Sequence, residues 1–396
     1  MKQKLFLAAM AAIAMTSCSN DETLEINTGT ERAIDFRTAM ATRAIETTIS
    51  NLDSFYVTAF NENIINAPYF KDLKFKKREE NSTIFVSEDK YYYPGDGTNL
   101  TFYAYAPSAE ELGSGSNLEI DNTIKNLTLK GFSPADSIPD QVDFIATKTT
   151  GNNKNNVDSV PLVFKHCLSQ IEIKAIQQNP NNSYNFEIKG VRIAQAISKG
   201  DFDFTAFASE SESESGWNLS AYTDKQIYTY EFDEPKDMAQ GASLMDKCGG
   251  AMLIPQQLTA WDVVNNKENT RKGAYISLLL RITTKDGALV YPFKEDTEAK
   301  GESEENKTYA WAAIPVGTKW EAGKKYVYIL NFANGAGYVD PEEDSVHKGK
   351  PILDGEVKFD VEVTDWESHD YTGNMENGEI TEDLDETDTE DPWGGE

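Results

Sequence analysis

Histidine and cysteine are nearly absent: the 396 residues contain three of each. Histidine is the side chain whose ordinary pKa suits proton transfer near neutrality, so its scarcity removes the commonest acid–base catalyst. Three cysteines with no C-x-x-C spacing give no cysteine metal knuckle. Basic residues are outnumbered, since 37 Lys and Arg against 66 Asp and Glu leave a net charge of −29. Such a chain repels phosphate backbones and anionic membrane surfaces, so nucleic acid is excluded as a partner. Long apolar runs are missing too. Past the first residues none approaches the roughly 18 needed to span a bilayer as a helix, and no long amphipathic helix is discernible. Nor is there a G-x-S-x-G, a phosphate-cradling glycine loop or an H-E-x-x-H. Acidic pairs are too numerous to single out a glycosidase pair. The chain therefore reads as a non-enzyme with no cofactor and no metal.

What is present suits β-structure. Phe (19) and Tyr (18) are abundant in a chain that is 39% hydrophobic, a globular composition, and its length suggests two to three domains. Alternating aromatic and β-branched residues mark strands at Leu52–Phe60, Thr83–Val86, Leu100–Ala106 and Val142–Ala146. Pro94-Gly95-Asp96-Gly97 supplies turn chemistry between them. A polar stretch over 149–156 is the best domain boundary. After it, Tyr275–Ile282 is apolar on both faces, and Asp286-Gly287 predicts a hairpin into Ala288–Phe293. Later strands fall at 308–314, 325–332 and 356–363. Short strands divided between two halves indicate an all-β protein of two β-sandwiches. Lys74-Phe75-Lys76-Lys77-Arg78 reads as a solvated strand edge. Residues 367–396 carry twelve acidic side chains and no Lys or Arg, the composition of a solvated, disordered tail.

The N-terminus is a targeting segment. Lys2 and Lys4 precede an apolar run, Leu5 to Met15, which ends in Met15-Thr16-Ser17-Cys18. This resembles the lipobox of bacterial lipoproteins, which implies a signal peptide over 1–17 and lipidation at Cys18. Ser19-Asn20-Asp21-Glu22 resembles the acidic export tag of surface lipoproteins in Bacteroidales-type bacteria. Residues 18–43 then read as a thinly apolar linker or pro-segment. Export permits a disulfide between Cys167 and Cys248, while two buried free cysteines explain the same sequence. In Phe164-Lys165-His166-Cys167-Leu168, alternation places Phe164, His166 and Leu168 on one face, as for a hydrogen-bonded core histidine.

Four further motifs occur in order. Phe164–Ile173 resembles the F-x-H-x-L-s-x-i strand of fimbrillin (Mfa-like) proteins, and Cys248–Gln257 is similar to their mliPQ strand. Trp320–Leu330 resembles their W-x-x-G-k-x-Y-x-Y motif, and Val361–Trp366 their last core strand. The resemblance implies two transthyretin-like β-sandwiches, here over 44–157 and 158–366, and assembly into a type V pilus at the outer membrane. It also implies that an Arg-specific protease removes an N-terminal strand, and that a strand from another pilus subunit fills the groove. Arg43-Ala44 matches the cleavage position, with Arg32 and Arg37 as alternatives. The charged tail is a poor donor strand, so a tip or accessory role stays open beside a stalk role, and a donated strand is expected around Val357–Val363. Asp136-Ser137, Asp158-Ser159 and Asp344-Ser345, each followed by an apolar residue, resemble a Bacteroidales O-glycosylation motif. A rival reading is a glycan-binding surface lipoprotein using Trp217, Trp261 and Tyr91–Tyr93. The partners the resemblance implies are other pilus subunits, outer-membrane lipid through Cys18 and a host or bacterial surface ligand.

Overall fold

A computed structural model describes residues 33–39 and 52–366, apart from positions 81, 114 and 334 and the stretches 157–158, 178–182, 209–214, 239–242, 264–272 and 299–307. The described chain is all-β. It begins with β1 (Phe36–Ala39), β2 (Ser54–Asn61), β3 (Phe70–Lys77), β4 (Ile84–Ser87), β5 (Leu100–Ala106), β6 (Asn117–Asp121), β7 (Asn126–Phe132) and β8 (Ile145–Gly151). It continues with β9 (Val160–Val163), β10 (Lys165–His166), β11 (Ser169–Ile176), β12 (Tyr184–Ile197), β13 (Gly200–Asp203), β14 (Trp217–Asn218), β15 (Lys225–Asp237) and β16 (Ala251–Leu253). The last strands are β17 (Tyr275–Thr284), β18 (Leu289–Tyr291), β19 (Ala310–Pro315), β20 (Lys324–Asn331), β21 (Gly335–Val339), β22 (Pro351–Leu353) and β23 (Lys358–Asp365).

One sheet, in the order β10-β8-β5-β2-β3-β4-β1-β9, forms the first sandwich. Its outermost strands, β9 and β10, are consecutive in the chain and joined at Phe164. The sheet therefore folds round until its ends meet, which leaves few open edges. Alternation sends Phe55, Val57 and Ala59 of β2 and Leu100, Phe102 and Ala104 of β5 into one aromatic core. Phe60, Tyr103 and Tyr105 on the opposite face enter a second core under the small sheet β14-β13-β7-β6.

The other sandwich packs β16-β11-β20-β23 against β15-β12-β17-β19-β21-β22, with β18 beside β17. Ile171, Ile173, Tyr328 and Leu330 of one sheet meet Ile188, Val191, Ile276 and Leu278 of the other. The Asp286-Gly287 hairpin is present between β17 and β18, with Gly287 at φ +91°, the backbone region that glycine tolerates. Two of the motifs acquire a physical reason. Trp320 Nε1 donates to Tyr328 Oη at 3.0 Å, and the Glu321 amide donates to Tyr326 Oη at 2.9 Å, so the W-x-x-G-k-x-Y-x-Y spacing ties a loop to its own strand. Gln256 accepts from the Ile197 amide at 2.7 Å and returns a bond to the Ile197 carbonyl at 3.0 Å, capping the end of β12.

Several expectations change. The sheets do not respect the 157/158 division: β9 and β10 pair in the first sheet, and β13 and β14 join β6 and β7. Hydrophobic pattern locates strands, but pairing over long separations decides their sheet. The basic run Lys74–Arg78 is no edge, because β3 lies between β2 and β4. Phe75 points inward while Lys76 and Lys77 pair with Glu88 and Asp53. Phe164, His166 and Leu168 do not share one face: the chain crosses from the first core, which holds Phe164, to the junction core, which holds Leu168. His166 is buried there, with Nδ1 2.9 Å from Asp143 Oδ2 and its ring stacked 4.0 Å from that of Trp366. The segment expected to be donated, around Val357–Val363, is largely β23, which pairs with β20 from Lys358 to Asp365.

Candidate functional site

Residues 33–38 alternate half-buried and buried, although composition alone marks them as linker. Ile34 (2% exposed), Phe36 (0%) and Thr38 (7%) point inward. They occupy a slot in the first sheet. On one side β1 runs antiparallel to β4, with Phe36 opposite Phe85 and Arg37 opposite Ile84. On the other it runs parallel to β9, from Phe36 opposite Val160 to Ala39 opposite Val163. The Ile34 amide donates to the Tyr91 carbonyl at 2.8 Å, and the Thr38 amide to that of Thr83 at 3.1 Å. The Val160 amide donates to the Asp35 carbonyl at 2.9 Å, so both flanks are bonded.

Phe36 fills the pocket at the centre of this slot. Its ring meets Phe75, Phe102 and Phe55 edge-on, with centroids 4.7, 5.1 and 6.0 Å away. Edge-to-face contacts place the positive rim of one ring on the negative face of another, which adds to the burial itself. On the outer face Asp35 Oδ2 receives Arg78 Nη2 at 2.8 Å. Thr38 Oγ1 is buried and has no hydrogen-bond partner among the described residues. The strand is thus a side-chain plug with one apolar, one aromatic and one polar inward position. Its signal in the sequence is the alternation Ala33-Ile34-Asp35-Phe36-Arg37-Thr38, too short to stand out beside the arginines around it.

Of the processing candidates, Arg37 lies within β1, while Arg32, Arg43 and Ala44 lie outside the described residues, as do Cys18, the signal peptide and the tail over 367–396. Cys167 and Cys248 are free thiols and not a disulfide. Cys167 sits in the junction core and Cys248 packs against the second sandwich, and burial raises both thiol pKa values. Ser137 is exposed. Ser345 is half-buried and donates to Asp296 Oδ2 at 2.8 Å. Ser159, beside β9, is the most buried of the three at 9% exposure. Of the aromatic candidates Tyr92 is exposed, at 40%, while the others are engaged in packing. Trp261 is buried against Tyr275, and Trp217 donates Nε1 to the Cys167 carbonyl at 2.6 Å while packing on Phe132 and Phe202. Tyr91 packs on Phe70. Among the described residues no three His, Cys, Asp or Glu side chains converge as metal ligands.

Known proteins resemble this architecture. Fimbrium subunit Fim1C of Phocaeicola vulgatus is 26% identical over 193 residues, which are 43% of this chain and 50% of that protein. The chain thus spans about half the length of that curated relative. A fimbrial protein from Bacteroides vulgatus shares the fold, with a TM-score of 0.53 at 15% identity over 84% of this chain and 99% of the other. The model of the fimbrillin-like family matches residues 42–366, from just beyond β1 to Trp366, and the chain belongs to that family.

Proposed function

We propose that this protein is a subunit of an adhesive fimbrium at the outer membrane, delivered there as a lipoprotein through Cys18 and joined to other subunits by strand exchange. The observation that carries the reading is the position of β1. It is seated in the wall of the first sandwich, yet it lies upstream of Arg43 and ahead of the family-matched segment. A cut after Arg43 severs β1 from the body. A cut after Arg32 leaves β1 attached, and a cut after Arg37 requires a protease to enter a strand bonded on both flanks. With β1 gone, β4 and β9 each present an unpaired edge, and an extended segment from another subunit restores both sets of backbone bonds. Contacts of this head-to-tail kind do not close on themselves, so they propagate filaments.

A tip or accessory position suits the chain better than a stalk position, because its last described strand is committed to its own sheet. Ser137 is the most accessible of the three glycosylation candidates. The test is Arg43→Ala in the native host. The variant is expected to remain a lipidated precursor absent from sheared fimbriae, whereas the parent yields an N-terminus at Ala44. Normal incorporation of the variant, or a sheared protein that begins at Cys18, removes cleavage at Arg43 as the trigger.

A further inference from the structure

We infer that the β1 slot selects its incoming strand by sequence, taking an apolar–acidic–aromatic–x–apolar segment of a different polypeptide, and that β1 is an under-optimised occupant of it. The inference rests on the strand-exchange reading and adds what the exchanged strand must be.

The pattern follows from the three inward positions and one outward one. The pocket of Phe36 is lined by the rings of Phe55, Phe75 and Phe102. An aliphatic residue there leaves part of the pocket empty, which is destabilising in a close-packed interior. The position before it lies beside Arg78, which pairs with Asp35 at 2.8 Å, so an acid fits and a base is repelled. Polarity is set by the flanks, since the strand must run parallel to β9 and antiparallel to β4.

The resident strand meets this pattern at two inward positions and fails at the third. Thr38 buries a hydroxyl without a partner among the described residues, and a buried unsatisfied polar group costs more than an apolar one of the same shape. Val or Ile at that position removes the defect and keeps the β-branched shape. The resident strand is also short, with Phe36 and Arg37 opposite β4 and one amide bond beyond them at Thr38. A better-matched strand therefore displaces it downhill once the covalent link is cut.

A second copy of this chain does not offer such a strand in β23. With Phe359 in the aromatic pocket and the same polarity, Lys358 takes the place of Asp35 beside Arg78, a like-charge contact. Moreover β23 is bonded to β20 along its length, and Trp366 behind it is buried on His166. Val142–Ala146 and Phe202–Ala206 carry the pattern but are built into the chain's own junction core, so a heterologous partner is the source that remains.

The test uses the full chain nicked by an Arg-specific protease and labelled heptapeptides that carry residues 33–39, read by fluorescence anisotropy. The parent peptide is expected to be captured, T38V several-fold more tightly, and F36A at least about tenfold more weakly. D35K is expected to bind about two- to fivefold more weakly, with that loss reversed on the Arg78→Glu protein. A peptide of residues 357–363 is expected to bind no better than D35K. Equal capture of all the variants overturns the selectivity while leaving strand exchange intact. Capture of neither the parent nor T38V overturns strand exchange itself. The peptide series on the unmutated protein stands even if Arg78→Glu fails to fold.

Discussion

The two sandwiches are closed by opposite ends of the chain, and the ends are built differently. In the first, the closing strand is β1, short, inserted between β4 and β9, and anchored by a single aromatic ring among Phe55, Phe75 and Phe102. In the second, the closing strand is β23, longer, bonded to β20 throughout, and followed by Trp366 locked into the junction core. The inward contribution of β23 is slight, with Phe359 and Val361 only partly buried against the second core, where the Phe359 ring lies 6.0 Å from that of Tyr328. One wall thus depends on side-chain insertion and the other on backbone pairing. On the strand-exchange proposal, such a difference is what would let the first sandwich open by losing a few residues while the second stays whole.

Removing the plug chemically gives the largest expected effect. Phe36→Ala deletes a fully buried ring from a close-packed cluster, a change that costs about 3–5 kcal/mol. It is expected to lower the melting transition of the first sandwich and leave that of the second in place, as followed by calorimetry and by hydrogen exchange in β4 and β17. An equal shift of both transitions breaks the comparison, because it makes the two cores one cooperative unit.

Trp366→Ala probes the other closure. The indole is 5% exposed and stacks on His166, whose Nδ1 faces Asp143. Its loss is expected to cost about 3 kcal/mol and to weaken the junction, so both transitions should move, unlike the Phe36 case. Truncation after Trp366, which removes only residues 367–396, is expected to leave both transitions unchanged. A truncation that destabilises as much as Trp366→Ala shows that the tail, and not the indole, secures this end.

Strands were legible in the sequence wherever alternation persisted, as at Ser54–Asn61 and Leu100–Ala106, and the Asp286-Gly287 turn was legible from its chemistry. Sheet membership was not. Nothing local distinguishes Val160–Val163 as the partner of β1 rather than as the first strand of a second sandwich, because that pairing spans more than a hundred residues. The family resemblance implied that some N-terminal strand is removed, but the slot itself was hidden. Ile34, Phe36 and Thr38 sit among Arg32, Arg37 and Arg43, and composition over that window reads as linker. The pairing of His166 with Trp366 was likewise unreadable, since it joins two motifs that sequence places two hundred positions apart.

The smallest expected effect concerns pH, and it separates the cores by a buried carboxylate of the second. Asp340 is fully buried beside β19 and β21, where it accepts from Ser277 Oγ, from Tyr275 Oη at 3.3 Å and from the Glu342 amide at 2.8 Å. Burial raises its carboxyl pKa, and the bonds from Ser277 and the Glu342 amide together with the Arg192 guanidinium offset only part of the rise. The folded state therefore holds the proton more tightly than the unfolded chain does. By linkage, stability from this group is fully present below the ordinary carboxylate pKa and is lost as pH rises through the raised value. Asp340→Asn keeps the shape and carries no charge, so its stability relative to the parent is expected to improve as pH rises across that window. The improvement belongs to the transition of the second sandwich alone, measured by thermal unfolding at a series of pH values. If the variant tracks the parent at every pH, burial of this carboxylate is balanced by its partners; if the first transition responds as well, the two sandwiches are coupled more tightly than their separate closures imply.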